Sequence, residues 1–257
     1  MKYPIIGSKK DLFVGIFSSQ TDARNYEKTL LARKFTDNAY ESHRWLERQN
    51  GFLRIAMNGF IPRKSSLINF KGKNEIKSII DFGGGSGWLF FVLKSQLEWS
   101  HMEKYYVVEN DTMVKYFANN KSDRGIQYLV LNKLKKKDEK IDCLYINSVI
   151  QYLPNLIEIE NVIKKFEPKH ILIDELPICK SMEFFSLQRY YEGYLIIKFL
   201  NEDTFENMLS NYGYKIVSKK GTKVQISKNF KWTIEISNKS IKAPKTFNYV
   251  FKLEREG

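Results

Sequence analysis

The sequence predicts a doubly wound α/β protein, and three observations carry that prediction. From Ile76 to Pro177, short β-branched runs alternate with helix-compatible stretches, the pattern of a parallel sheet covered by helices. One of these runs, Ile79-Ile80-Asp81-Phe82, leads directly into Gly83-Gly84-Gly85-Ser86-Gly87-Trp88, a glycine-rich turn that opens a helix. The 257 residues are 43% hydrophobic and 14% aromatic, which supplies a substantial core and excludes a disordered tail protein.

In chain order, residues 1–75 hold two helical segments, around Asp22–Phe35 and Asp37–Arg48, the second closed by Asn50-Gly51. They read as a helical cap on the acceptor side. Strands follow at Ser78–Asp81, Tyr105–Glu109, Ile126–Val130, Ile141–Asn147 and His170–Asp174, with helices at Trp88–Leu97, Thr112–Asn119 and Asn155–Phe166 between them. The last carries Leu156, Ile159, Val162, Ile163 and Phe166 at helical spacing. From about residue 179 the chain reads as a β-rich extension. Glu202–Asn211 is a helix, and Tyr214–Ser218, Lys223–Ser227, Lys231–Ile236 and Asn248–Leu253 are strands, with turn chemistry at Lys220-Gly221 and Ser237-Asn238. Domain organisation is therefore 1–75 for the cap and 76–257 for the sheet unit with its extension.

The net charge of +13 is uneven: residues 1–75 carry +7, residues 76–178 zero and residues 179–257 +6. An acidic ligand held between the middle and its flanks accounts for this, as do lysines on solvated faces. Cys143 and Cys179, and His43, His101 and His170, lie far apart without metal-ligand spacing. That spacing argues against a disulfide scaffold and a local structural zinc site, and no metal is expected. No window reaches eighteen apolar residues and the N-terminus lacks a leader-length apolar run, so the expectation is a cytoplasmic protein without membrane insertion.

The glycine turn carries the chemistry. Glycines permit positive φ and let backbone N–H groups approach a ligand at the carboxyl edge of the sheet, where such folds bind nucleotides. A dinucleotide fingerprint beginning at Gly83 needs glycine at Trp88, and one beginning at Gly85 needs a small residue at Phe90; neither fits, which disfavours a dehydrogenase. Glu109, at the tip of the second strand, is placed to accept hydrogen bonds from both hydroxyls of a ribose. Asn147, Ser148 and Gln151, polar residues directly after an apolar strand, are poorly explained by packing.

Asp81-x-Gly83-x-Gly85-x-Gly87 resembles motif I of the class I methyltransferases that use S-adenosylmethionine (SAM) and release S-adenosylhomocysteine (SAH). The resemblance implies a Rossmann-like sheet of about seven mostly parallel strands, with the N-terminal helical cap and C-terminal β-rich extension attached. It implies that Asp81 holds the cofactor's ammonium and that Gly83, Gly84, Gly85 and Gly87 admit its methionine and ribose. By the same resemblance Glu109 and Asn110 hold the ribose, Tyr128 and Leu129 approach the adenine, and Asn147, Ser148 and Gln151 line the methionine end. The Asn/Asp-Pro-Pro-aromatic stretch of base N-methylating enzymes is absent.

DFGGGSGW, VVEND, INSVIQYLP, ILIDELP, SLQRYY and NYGYKIV, occurring in that order over residues 40–220, resemble a poorly characterised group of methyltransferases associated with bacterial surface-polysaccharide (capsule and lipopolysaccharide) gene clusters. That resemblance implies O-methylation of a small anionic or sugar-type acceptor: a sugar, a nucleotide-linked sugar, or a phosphate or phosphoramidate decoration. The group shows an Asp-Arg-Thr-Pro-like stretch where this chain has Asp174-Glu175-Leu176-Pro177, so the acceptor contacts diverge. For a hydroxyl acceptor the general-base candidates are Asp174, Glu175 and His43. For an anionic one no base is required and Arg44, Arg48 and Arg189 matter more, with Gln188 and Tyr190 beside them. Aromatic residues Tyr40, Trp45, Phe52, Phe184, Phe185, Tyr190, Tyr191 and Tyr194 form either an acceptor wall or core between cap and sheet. The alternatives are an RNA or protein methyltransferase, for which no nucleic-acid-binding signature accompanies the charge, and a SAM-binding member without turnover. Oligomeric state is not readable.

Overall fold

The computed structural model describes residues 13–30, 43–61, 65–118, 125–133, 140–190, 193–222, 235–236, 239–240 and 244–254. The first half contains β1 (Phe13–Phe17), α1 (Gln20–Leu30), α2 (His43–Met57), β2 (Ser78–Phe82), α3 (Trp88–Lys94), β3 (Lys104–Val108), α4 (Asp111–Ala118) and β4 (Ile126–Leu129). The second half contains β5 (Cys143–Asn147), α5 (Ile157–Phe166), β6 (His170–Cys179), β7 (Phe184–Tyr190), β8 (Gly193–Asn201), α6 (Glu202–Asn211), β9 (Tyr214–Gly221), β10 (Glu235–Ile236), β11 (Lys239–Ser240) and β12 (Lys245–Leu253).

The main sheet runs β4-β3-β2-β5-β6-β12-β9, with every strand parallel except β12, which is antiparallel to both neighbours. This is the seven-strand, mostly parallel architecture the sequence predicts. Alternation sends Ile80, Phe82, Tyr106, Val108, Leu144, Ile146, Ile171 and Ile173 to one face, under α5 and α6. Ile79, Tyr105, Val107, Cys143 and Tyr145 go to the other, under α3 and Ala56 of α2. Strands buried on both faces explain the unbroken apolar runs at 79–80, 105–108 and 143–146.

β6 continues beyond its expected end at Asp174. Residues up to Ile178 pair with β12, and Ile178 and Cys179 pair with Leu200 and Asn201 of β8. β6 thus ends at Cys179, where the extension is expected to begin. β8 pairs with β7, and β7 with β1, both antiparallel, forming a second branch against which α1 packs. Residues 1–75 thus contribute a strand as well as the two expected helices. β7 escapes a periodicity reading because Phe184, Ser186 and Leu187 are all buried, Ser186 donating to the Gly15 carbonyl at 2.7 Å.

α2 runs through Asn50-Gly51, where the sequence predicts a stop. Its Trp45, Gln49, Phe52 and Ala56 form one stripe facing α3, α4 and the glycine turn, with the Phe52 and Trp88 rings 6.3 Å apart. The helix ends instead at Gly59 (φ +80°). The Gly59 N–H donates to the Ala56 carbonyl and the Phe60 N–H to the Ile55 carbonyl, a Schellman closure. Lys220 and Gly221, expected as a turn, are paired with Asn248 and Phe247 within β9. The strand expected at Lys223–Ser227, and Ser237-Asn238, lie outside the described residues, as does all of Lys231–Ile236 except β10, which pairs antiparallel with β11.

Candidate functional site

The glycine turn leaves β2 with Gly83, Gly85 and Gly87 all at positive φ. Gly85 illustrates the requirement. At φ +58° an L side chain is strained, and a Cβ there would lie 2.6 Å from Gln49 Oε1 on α2. The turn is held from three sides. Glu109 Oε1 accepts from the Gly85 N–H at 3.0 Å, Gln49 Oε1 accepts from the Ser86 N–H at 3.3 Å, and the Tyr128 hydroxyl donates to the Ser86 carbonyl at 2.7 Å. Beneath the turn lies Asp81, 3% exposed, its Oδ2 accepting from the Tyr105 hydroxyl at 2.6 Å. Burial pushes the Asp81 carboxyl up to about 7, the Tyr105 hydrogen bond opposing and the Glu109 charge adding to the rise. Burial also raises Glu109, against the Gly85 and Asn110 amides that favour its charged form.

On the α5 face of the same edge opens a cavity of about 970 Å³. Gly83 and the β3 tip residues Glu109 and Asn110 form one wall, Val130–Lys133 a second, and Val149, Tyr152 and α5 a third. Its size sits at the upper end of ligand pockets, roughly 300–1,000 Å³. A bare-backbone cradle, a carboxylate at the neighbouring strand tip and an apolar-walled cavity fit a nucleoside-type cofactor such as SAM. Tyr128 and Leu129 do not line this cavity. Tyr128 points to the opposite face, supporting the turn, and Leu129 packs against the core. The wall expected from them is built by Val130 to Lys133, just beyond the strand.

At the tips of β5 and β6 lies a polar network. Tyr145, 2% exposed, donates to Asp174 Oδ2 at 2.8 Å and accepts from Ser65 Oγ at 2.8 Å and Asn147 Nδ2 at 3.1 Å. The Ser66 N–H donates to the same Asp174 oxygen at 2.7 Å. Burial raises the Asp174 carboxyl, with the Ser66 and Tyr145 hydrogen bonds opposing. Among the described residues, three buried oxygens here and in the following turn have no hydrogen-bond partner: Asp174 Oδ1, Asn147 Oδ1 and Gln151 Oε1; Ser66 Oγ is buried beside Asp174. Beside them Ser148 (φ +55°) donates to Glu175 Oε2 at 2.6 Å, and Glu175 (φ +58°) donates its N–H to Asn248 Oδ1 at 2.9 Å. Two adjacent non-glycine residues in left-handed conformation, each costing about 1–2 kcal/mol, mark this tip as strained.

Three regions expected to serve the site converge on one sheet edge: the turn 81–87, Glu109-Asn110, and 147–151 with 174–175. Gln188 reaches it indirectly, its Oε1 accepting from the Tyr152 hydroxyl at 2.7 Å. His43 and Arg44 stand in the first turn of α2, and Arg189 and Tyr190 end β7; their side chains lie outside the described residues. Trp45 and Phe184 are core, at 7% and 0% exposure, rather than an acceptor wall. Among the described residues no group of three or more histidine, cysteine or acidic side chains can hold a metal ion, and no helix is long and apolar enough to cross a membrane. The site residues missed from sequence are Tyr105, Tyr145, Gln49 and Ser65-Ser66. A tyrosine in a central parallel strand must find a partner for its hydroxyl, which is the signal that marked the first two. Nothing in sequence marked the others.

Over residues 53–219, 167 of the 257, the chain matches a family model described as a methyltransferase domain. No curated protein matches it. Among solved structures it is similar to the Burkholderia thailandensis 1,6-didemethyltoxoflavin-N1-methyltransferase with bound 1,6-didemethyltoxoflavin and S-adenosylhomocysteine. The identity is 11%, covering 98% of this chain and 100% of that one, with a TM-score of 0.51. It is also similar to a complex of the Haloferax volcanii Trm112 methyltransferase activator with a methyltransferase, at 9% identity, covering 86% of this chain and 100% of that one, with a TM-score of 0.51. Likeness at these identities bears on the fold alone.

Proposed function

The chain belongs to the methyltransferase domain family, and from that premise we propose that it is a SAM-dependent O-methyltransferase acting on a small sugar-type acceptor. The observation that carries the reading is the glycine turn closed onto Asp81 and Glu109 beside a cavity of about 970 Å³. Asp81 faces the cofactor's ammonium, Gly83, Gly84, Gly85 and Gly87 admit its backbone-hugging portion, Glu109 and Asn110 take the ribose, and Val130 to Lys133 flank the base. Ser148 and Gln151 line the transfer end. When bound, SAM supplies a methyl group on a sulfonium, a leaving group already activated for in-line displacement.

The protein's own work is alignment, exclusion of water and handling of one proton. Asp174 is the proposed proton acceptor. Its Oδ2 is saturated by Tyr145 and Ser66 while its Oδ1 is free to take the proton that an acceptor hydroxyl loses, and its burial makes it a stronger base than an exposed carboxylate. Residues 76–257 carry the cofactor, and residues 1–75 complete the acceptor side, where Ser66 meets Asp174. Bacterial surface-polysaccharide assembly in the cytoplasm is the setting that the ordered motifs support.

Calorimetric titration with SAM, SAH and NAD, repeated on Gly85→Val, tests the reading. Binding of the first two, absence of NAD binding and loss in the variant are expected. Binding of NAD alone, or of none of the three, overturns it.

A further inference from the structure

The unpartnered oxygens beside Tyr145 specify what a ligand there must bring. Asn147 and Asp174 are register partners on adjacent parallel strands, and one hydroxyl, that of Tyr145, holds both. Each side chain spends one polar atom on that hydroxyl and leaves the other, Asn147 Oδ1 and Asp174 Oδ1, buried and unmet; Asp174 is 2% exposed. Ser66, whose N–H is committed to Asp174, has its Oγ buried at the same place, where the side chain also favours the charged form of Asp174. Two of these three atoms can only accept a hydrogen bond, and the third can donate or accept. Among the described residues Asp174 draws its stabilisation from Ser66 and Tyr145, and the neighbouring Glu175 charge acts against its ionisation. An anion placed here would meet the lone pairs of Asn147 and Asp174, whereas a pair of hydroxyls would donate to both, beside the Ser66 hydroxyl.

We propose that Asn147, Asp174 and Ser66 form the acceptor subsite and read an uncharged vicinal diol, as on a sugar ring, rather than a phosphate or other anionic group. The inference rests on the methyltransferase reading and deepens it. It also moves Asn147 from the cofactor, where the family resemblance places it, to the acceptor. Asn147 stands on β5, next to β2, but its Nδ2 is committed to the Tyr145 hydroxyl that also holds Asp174 on β6, two strands from β2, and Asp81 already stands under the glycine turn as the carboxylate for the cofactor's ammonium. Tyr145 is a positioning residue, fixing both acceptors before the ligand arrives.

The test uses the full chain loaded with SAH and a panel of methyl hexopyranosides, with the matching hexose 6-phosphates and inorganic phosphate as anionic probes, read by calorimetry or saturation-transfer NMR. At least one glycoside is expected to bind, with its phosphorylated counterpart at least fivefold weaker. Asn147→Leu and the milder Ser66→Ala are expected to weaken the glycoside about tenfold while SAH affinity stays within twofold. Tighter binding of the phosphates, or no glycoside binding to an SAH-loaded protein, overturns the diol subsite alone. Loss of SAH affinity in the two variants gives the cluster to the cofactor and also overturns it. Failure of the wild-type protein to bind SAH removes the methyltransferase reading, and the subsite with it.

Discussion

Replacing Tyr105 with phenylalanine should change how cofactor affinity depends on pH. The Tyr105 hydroxyl donates at 2.6 Å to Asp81, and both residues are buried, at 1% and 3% exposure. Burial places the Asp81 carboxyl at about 7 even with this hydrogen bond favouring its charged form. A hydrogen bond to a charged group contributes about 1.5–3 kcal/mol. At 1.36 kcal/mol per pH unit, its loss raises the midpoint by about one to two units, to roughly 8–9. The cofactor's ammonium requires the ionised carboxylate, so in the wild-type protein affinity should be level above about 7 and fall about tenfold per pH unit below it. In the variant the fall begins one to two units higher, and at pH 7.5 affinity drops roughly three- to thirtyfold. Calorimetric titration with SAH in half-unit steps from pH 5.5 to 8.5 reads both curves, and a thermal melt checks that the variant is folded. Coincident midpoints, or wild-type affinity that is flat from pH 6 to 8, would refute the placing of the ammonium on Asp81.

The same carboxylate should cost the fold stability. Its folded value of about 7 lies above the ordinary 3.8, so the folded state binds the proton more tightly. Stability is then full below about 3.8, falls as pH rises to about 7 and is flat beyond, a loss of at most about 4 kcal/mol from roughly three pH units at 1.36 kcal/mol each. Asp81→Asn should therefore unfold at higher urea than wild type at pH 8, show no such gain at pH 4 and lose SAH binding; an equal difference at both pH values would contradict the account. Along α2 two glycines should respond with opposite signs in urea unfolding. Gly51 is helical with open space around its Cβ position, so Gly51→Ala should stabilise by about 0.5–1 kcal/mol, whereas Gly59→Ala, at φ +80°, should destabilise by about 1–2 kcal/mol. A stabilising Gly59→Ala would mean that α2 does not end there.

The sheet from β2 to β6 was legible because strands buried on both faces must be apolar throughout, and a turn such as Asp81 to Gly87 is built from residues whose backbone freedom is encoded locally. Glu109 and the 147–151 loop followed from the same logic, since residues directly after parallel strands gather at one edge. α6 was readable from Glu202 to Asn211, where Asn201 caps the first turn by accepting from the Thr204 N–H at 3.0 Å. Tertiary structure alone decided the rest. The end of α2 depended on whether a Trp45-Gln49-Phe52-Ala56 stripe found a surface to cover, which outweighs a single helical glycine. β7 pairs with β1, more than 160 residues earlier, whose Gly15 carbonyl accepts from Ser186. That the Tyr128 hydroxyl props the glycine turn through the Ser86 carbonyl came only from the pleat and the pairing of β4 with β3. The buried oxygens of Asn147, Asp174 and Ser66 belong to three separate stretches of chain, and sequence carries no signal for atoms that become neighbours only when strands pair and a distant loop closes over them.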